Sequence, residues 1–154
     1  MPIQLLVVGG AFRFPDTTKA RIKPDGPIYV GLPFDQKTCA EIICAARALT
    51  KKGYRFLVKP HPMTPFPFSE TSGIAQTSKQ FYEEKNISAL IYAASAIGLE
   101  SVLLGVPTIR FIPRNRISLN ILPKGVVTAV ANAENLEKQL NTIQTWMSEK
   151  IIET

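Results

Sequence analysis

The stretch ALIYAASAIGLESVLLGVPTIRFI, Ala89 to Ile112, decides the fold. Ala89 to Ala93 is a short unbroken apolar run, the mark of a strand buried on both faces. Ser95 stands at the N-cap position of a helix that ends at Gly105, with Pro107 just beyond. Thr108 to Ile112 is the next strand. Strand, helix and strand in such quick succession make a βαβ unit, whose strands are parallel.

The same alternation continues outward. Upstream, Tyr54 to Val58 is a strand that runs straight into Lys59-Pro60-His61-Pro62, and Pro65 and Pro67 prolong a rigid loop. Before it, Asp35 caps a helix with Ile42, Ile43, Ala46 and Leu49 at helical spacing, closed by Lys51, Lys52 and Gly53. Ile28 to Leu32 is a strand stopped by Pro33, and Ile3 to Val8 is the first strand of the chain. Phe14 to Pro27, broken by Pro15, Pro24 and Gly26, reads as a linker or surface loop. The reading also places a short strand over Ile74 to Gln76, a short helix over Phe81 to Lys85 and a last strand over Val126 to Val130. A long helix follows from about Ala133 to Lys150, with Leu136, Leu140, Ile143 and Met147 on one face. The expectation is one α/β domain over residues 1–154, in which 1–27 is partly linker and first strand. Its architecture is a Rossmann-like three-layer sandwich with a mostly parallel sheet, helices on both faces through right-handed crossovers.

Composition fits that picture: 45% hydrophobic and 19% charged residues over 154 positions describe a folded domain with a proper core. No apolar run is long enough for a membrane span, and Met1-Pro2-Ile3-Gln4 lacks the basic start of a secretory leader, so a cytoplasmic location is expected. Cys39 and Cys44, five apart on one helix, point to different faces and do not pair. No Cys/His cluster has metal-ligand spacing, so neither a metal nor a bound cofactor is expected. The net charge of +6 favours anionic partners: phosphates, or the inner face of an acidic membrane through peripheral contact. Aromatics do not interleave with the cations, which argues against nucleic acid.

In parallel sheets ligands bind beyond the carboxyl ends of the strands, which selects the residues that could carry chemistry. His61, the one histidine, sits there between two prolines; it can donate to a phosphate oxygen or stabilise a leaving group, or be a turn histidine held by a backbone carbonyl. Lys59 adds a cation. The Ser95 hydroxyl with the amides of Ala96 and Ile97 would form an anion site, or Ser95 is an ordinary cap. Glu100 is the sharper signal, because it is the only charge on a helix apolar nearly all round. A carboxylate there is costly unless it is paired or faces a cleft, and its natural use is a bidentate hydrogen bond to ribose hydroxyls; the alternative is a salt bridge to a Lys or Arg. Arg110, Arg114 and Arg116 follow the next strand as phosphate contacts or as a solvated loop. Gly9-Gly10 follows the first strand, yet neither G-x-G-x-x-G nor G-x-x-x-x-G-K-[ST] is present, which excludes ordinary NAD and P-loop sites.

A strand ending in Lys59-Pro60-His61-Pro62, followed by S-x-x-x-x-E-x-x-x-x-G-x-P from Ser95 through Glu100 and Gly105 to Pro107, resembles the donor-binding C-terminal half of GT-B glycosyltransferases. It is most similar to capsule polysaccharide transferases, bacterial sialyltransferases and CDP-glycerol glycerophosphotransferases, and Gly10-Ala11-Phe12-Arg13 resembles the segment leading into this half in capsule-type proteins. The resemblance implies that His61 contacts the donor phosphate and acts on the leaving group, that Ser95 binds phosphate, and that Glu100 binds the donor ribose. Ala96 stands where those families often carry a second Ser or Thr. It further implies a CMP-, CDP- or UDP-linked sugar as donor, and a partner acceptor domain on the N-terminal side without which sugar is not transferred. UDP-N-acetylglucosamine 2-epimerases share the fold and a His-Pro after this strand, but their Ser-Gly-Gly and paired glutamates match Ser95-Ala96-Ile97 and the single Glu100 poorly. A non-catalytic α/β binding module is the other alternative, in which Glu100 is neutralised by a cation and His61 faces protein.

Overall fold

The computed structural model describes residues 22–94, 96–114, 122–125 and 128–153. Six strands form one sheet: β1 (Ile28–Gly31), β2 (Phe56–Lys59), β3 (Ile74–Gln76), β4 (Ala89–Tyr92), β5 (Thr108–Phe111) and β6 (Ala129–Ala131). Every neighbouring pair is parallel, and the order across the sheet is β3-β2-β1-β4-β5-β6. Helices α1 (Gln36–Thr50), α2 (Ile97–Leu103) and α3 (Leu136–Glu153) and a 3₁₀ turn (Phe81–Glu83) complete the described elements. This is a Rossmann-like α/β fold. The chain steps from β1 outward to β2 and β3, then returns to the other side of β1 for β4, β5 and β6. The order therefore reverses between β1 and β4, which opens a crevice at their carboxyl ends.

Strand alternation divides the core. Ile28, Val30, Phe56, Val58, Ile91, Ile109 and Phe111 face α1 and α3, whereas Tyr29, Leu90 and Tyr92 face α2 and the 3₁₀ turn. Because both faces are covered, β1 and β4 are buried at all four positions, which is why they appear in sequence as unbroken apolar runs.

Helix α1 begins where its sequence says it should. The Asp35 carboxylate accepts from the backbone N–H of Lys37 and Thr38, at 3.2 and 3.3 Å, and from the Thr38 hydroxyl at 2.5 Å. It ends at Lys51, with Gly53 at φ 96°, a left-handed angle that glycine takes without strain. Asp35→Ala strands those amides and should lower stability by about 1–2 kcal/mol, read as a fall in denaturation midpoint at unchanged m-value. Cys39 is buried and donates to the Pro33 carbonyl at 3.2 Å, with burial pushing its thiol up to about 11; Cys44 is exposed and both are free.

Four sequence readings need adjustment. The helix expected over Phe81–Lys85 is a 3₁₀ turn, Phe81–Glu83, that ends at the extended Glu84. The last strand is described over Ala129–Ala131, in register with Ile109 to Phe111 and one residue beyond the expected end at Val130, while Val126 and Val127 lie outside the described residues. The helix expected from Ser95 to Gly105 is shorter, Ile97–Leu103, with Ala96 at its N-cap position and no side-chain cap bond. Ile22 to Pro27 is not a free linker. Ile22 bridges Ile87, Lys23 N–H donates to the Ile87 carbonyl at 2.9 Å, and Arg55 holds the Asp25 carbonyl at 2.8 Å. The proposed strand Ile3 to Val8, the Gly9-Gly10 turn, Gly10 to Arg13, Ser95 and Arg116 lie outside the described residues. Leu136 and Leu140 are buried and Ile143 packs against the core, so these positions of the α3 stripe are core packing. No helix among the described residues is long and apolar enough to cross a membrane.

Candidate functional site at the carboxyl edge of the sheet

A cavity of about 170 Å³ lies at the strand-order reversal, lined by Gly31 and Leu32 after β1, Lys59 to Pro62 after β2, Gln80, and Ile97 and Glu100 on α2. Lys59, His61, Ile97 and Glu100, four of the residues singled out from the sequence, thus meet in one place. Ala96 is exposed and does not line this cavity.

The alternation of β1 and β2 explains the walls. Gly31 and Lys59 are register partners and lie on the α2 side of the sheet. A side chain at position 31 would meet the Ile97 Cδ1 at 3.1 Å, so the absence of one lets α2 approach the end of β1. The approach is tighter still at Gly98, where an added Cβ would lie 2.2 Å from the Tyr92 ring. The buried Ser101 hydroxyl bonds the Gly98 carbonyl (3.0 Å) and the Thr108 hydroxyl (2.7 Å), tying α2 to β5. Glu100 is in this way carried to the crevice by a helix packed directly on the sheet.

Its electrostatics are unusual. Glu100 is half-buried, and desolvation alone holds its carboxyl above the ordinary 4.5. Among the described residues no hydrogen bond or ion pair reaches the carboxylate. The salt bridge that would have made Glu100 a purely structural residue is therefore not formed by these residues. A carboxylate kept half out of water without a partner is what a donor-bearing ligand would satisfy.

His61 is oriented rather than free. The Met63 N–H donates to its Nδ1 at 3.2 Å, which assigns the proton of the neutral ring to Nε2. Nδ1 is therefore spent on the backbone, and Nε2–H is the group left to donate. The loop is laced to the one after β1: Thr64 Oγ1 donates to the Phe34 carbonyl at 3.2 Å, and Gln36 Nε2 to the Thr64 carbonyl at 2.9 Å. The Phe34 ring meets the imidazole edge to face at 5.6 Å.

Gln80 and Gly31 were not foreseen. Gln80 arrives from the segment after β3, which a partly buried bond fixes: the Tyr29 hydroxyl donates to the Lys79 carbonyl at 2.7 Å. Burial pushes the Tyr29 phenol far up, so it stays protonated and keeps donating. The Glu83 carboxylate accepts the Gln80 N–H at 2.9 Å. Only tertiary structure brings this segment to the edge. The nearest sequence clue was the general rule that segments following strands line the site.

Arg114 is structurally committed: its guanidinium pairs with Glu134 and its N–H with the Glu41 carboxylate at 2.9 Å. Arg110 lies on β5, half-buried beside Tyr92. Among the described residues no hydrogen bond of ordinary geometry reaches the buried Tyr92 hydroxyl; burial raises its pKa, and nearby Thr128 and Arg110 offset part of the rise. No group of three or more His, Cys, Asp or Glu among the described residues could hold a metal ion.

A larger cavity, about 430 Å³, opens at the opposite edge near Asp25, Tyr54 and Asn141. Its cations are engaged, Lys52 with Glu137 at 2.7 Å and Arg55 with the Asp25 carbonyl, so it offers fewer unsatisfied groups than the carboxyl edge. No protein-family model, curated protein or solved structure matches this chain.

Proposed function

We propose that the carboxyl-edge cavity binds the nucleotide portion of a nucleotide sugar, and that the chain is the donor-binding half of a GT-B glycosyltransferase of bacterial surface-polysaccharide synthesis. The observation that carries this reading is the Glu100 carboxylate, without a partner among the described residues, lining one cavity with Lys59 and His61 at the strand-order reversal. The chemistry divides naturally. Lys59 and the His61 Nε2–H are donors suited to a phosphate, and Glu100 is an acceptor suited to vicinal hydroxyls of a ribose. In the complete enzyme, displacement at the anomeric carbon would leave negative charge on the departing phosphate. His61 and Lys59 would stabilise it, with no proton removed from substrate by His61. An acceptor-binding domain facing this edge would supply the second substrate, so the chain alone binds donor without transferring sugar. The donor is CMP-, CDP- or UDP-linked, as the resemblance of Lys59-Pro60-His61-Pro62 implies.

His61 gives a selective test. His61→Phe, which keeps a ring against Phe34 and removes the Nε2–H, should weaken CDP binding by about ten- to a hundredfold, the range of a hydrogen bond to a charged group, and leave cytidine binding unchanged. Isothermal titration with both ligands checks this; equal losses for both would mean that His61 shapes the cavity rather than holding phosphate.

A further inference from the structure

The cavity is too small for a whole nucleotide, and what lies at its lip suggests where the remainder goes. Pockets that enclose a complete small ligand usually measure roughly 300–1,000 Å³; this one measures about 170 Å³. Its lining is polar where it would meet a sugar phosphate, through Lys59, His61, Gln80 and Glu100. The exposed large apolar side chains among the described residues are Phe34 (61%), Met63 (80%) and Val130 (39%). Two of these three flank His61: Phe34 touches its ring, and Met63 donates its N–H to Nδ1. An exposed phenylalanine that packs on neither core cluster keeps its ring open to a ligand. This one is held in place through its carbonyl by Thr64 and by its contact with His61.

We propose that Phe34, with Met63 beside it, forms a stacking ledge for the nucleobase while the ribose and phosphate occupy the cavity. This rests on reading the cavity as a nucleotide site. An aromatic face takes any base, because each has a π-surface, so the ledge would add affinity with little choice among bases. Selectivity for one base would then have to come from elsewhere.

The experiment uses the full chain with its methionine methyls labelled with ¹³C, titrated with CMP, UMP, GMP and ribose 5-phosphate. The expected result is that each nucleotide binds about ten- to a hundredfold more tightly than ribose 5-phosphate. Each should also move the Met63 methyl signal, assigned by Met63→Leu, by the ring current of the base. Phe34→Leu, which keeps an apolar residue at the position, should erase the preference for nucleotides and leave ribose 5-phosphate affinity unchanged. If ribose 5-phosphate binds as tightly as the nucleotides and the Met63 signal does not move, the ledge is overturned while the cavity reading stands. If no phosphate ligand binds, both fall. If Phe34→Leu instead dissolves a self-association of the chain seen by light scattering, with nucleotide preference intact, the exposed pair is a protein contact and the ledge is wrong.

Discussion

Glu100→Gln is expected to make the protein more stable and its nucleotide binding worse. At neutral pH the folded state holds a charged, half-buried carboxylate that no described partner satisfies. Removing the charge relieves that desolvation, because an amide costs less to bury than an anion. The pH dependence follows from the direction of the shift. Desolvation raises the folded-state pKa above 4.5, so the folded protein holds the proton more tightly than the unfolded chain. The associated stability is fully present below the unfolded value, and it is lost as pH rises through the folded value. Thermal midpoints measured upward from pH 4 should therefore fall less steeply for Glu100→Gln than for the parent protein. Nucleotide affinity should move the other way. A carboxylate accepting two ribose hydroxyls contributes at the scale of charged hydrogen bonds, so loss of the charge should cost about tenfold or more in Kd. In the parent protein the same loss should appear on acidification. Glu100→Gln is the control that cancels protonation of the ligand's own phosphate. A variant less stable than its parent, with affinity unchanged, would place the Glu100 carboxylate in an interaction with the protein instead.

Gly98→Ala should have the largest effect on the fold. The new Cβ would sit 2.2 to 2.6 Å from three atoms of the Tyr92 ring, which is fully buried and cannot swing aside. Alanine improves helix propensity by about 1 kcal/mol, but overpacking of a rigid contact costs about 1–3 kcal/mol and occasionally more. Here the clash is with the body of a ring, so α2 has to lift, and Glu100 is displaced from the crevice with it. A net loss of about 2 kcal/mol or more in denaturant unfolding is expected, together with weakened nucleotide binding. The double variant Gly98→Ala/Tyr92→Ala separates the causes. If the ring is the obstacle, the alanine at position 98 should cost little once the ring is gone, a coupling that a double-mutant cycle measures directly. Additive losses would mean that the contact is not what requires glycine.

The fold was legible because burial on both faces writes itself into sequence. Ile28 to Leu32 and Ala89 to Ala93 are unbroken apolar runs, and nothing but a central parallel strand needs them at that length. Asp35, Gly53 and Gly105 marked helix ends through local chemistry and were read correctly. Where local signals compete, the sequence was less clear. Val126 to Val130 is apolar apart from Thr128 and carries no turn residue at its end, so local pattern does not fix its pairing with β5 to the residue. Phe81 to Lys85 has helical composition but leaves the helix after one turn, where Glu84 is already extended. No local pattern marks Ser101, although its buried hydroxyl ties α2 to β5.

The site was half legible. Lys59, His61 and Glu100 stood out because their chemistry is conspicuous next to strand ends. Gly31 and Gln80 did not, since one contributes only the absence of a side chain and the other reaches the edge through the fixed segment after β3. The strand order that makes the crevice, with β4 returning beside β1, is a property of long-range pairing that no local pattern encodes.

The most direct test of the central claim is a ¹H–¹⁵N NMR titration of the full chain with CMP, CDP, UDP and GDP. The account predicts saturable shifts for at least one nucleotide, centred on Gly31, Lys59, His61, Gln80, Ile97 and Glu100. No shift with any of the four, or shifts centred instead on Lys52, Tyr54 and Glu137 at the opposite edge, would contradict it.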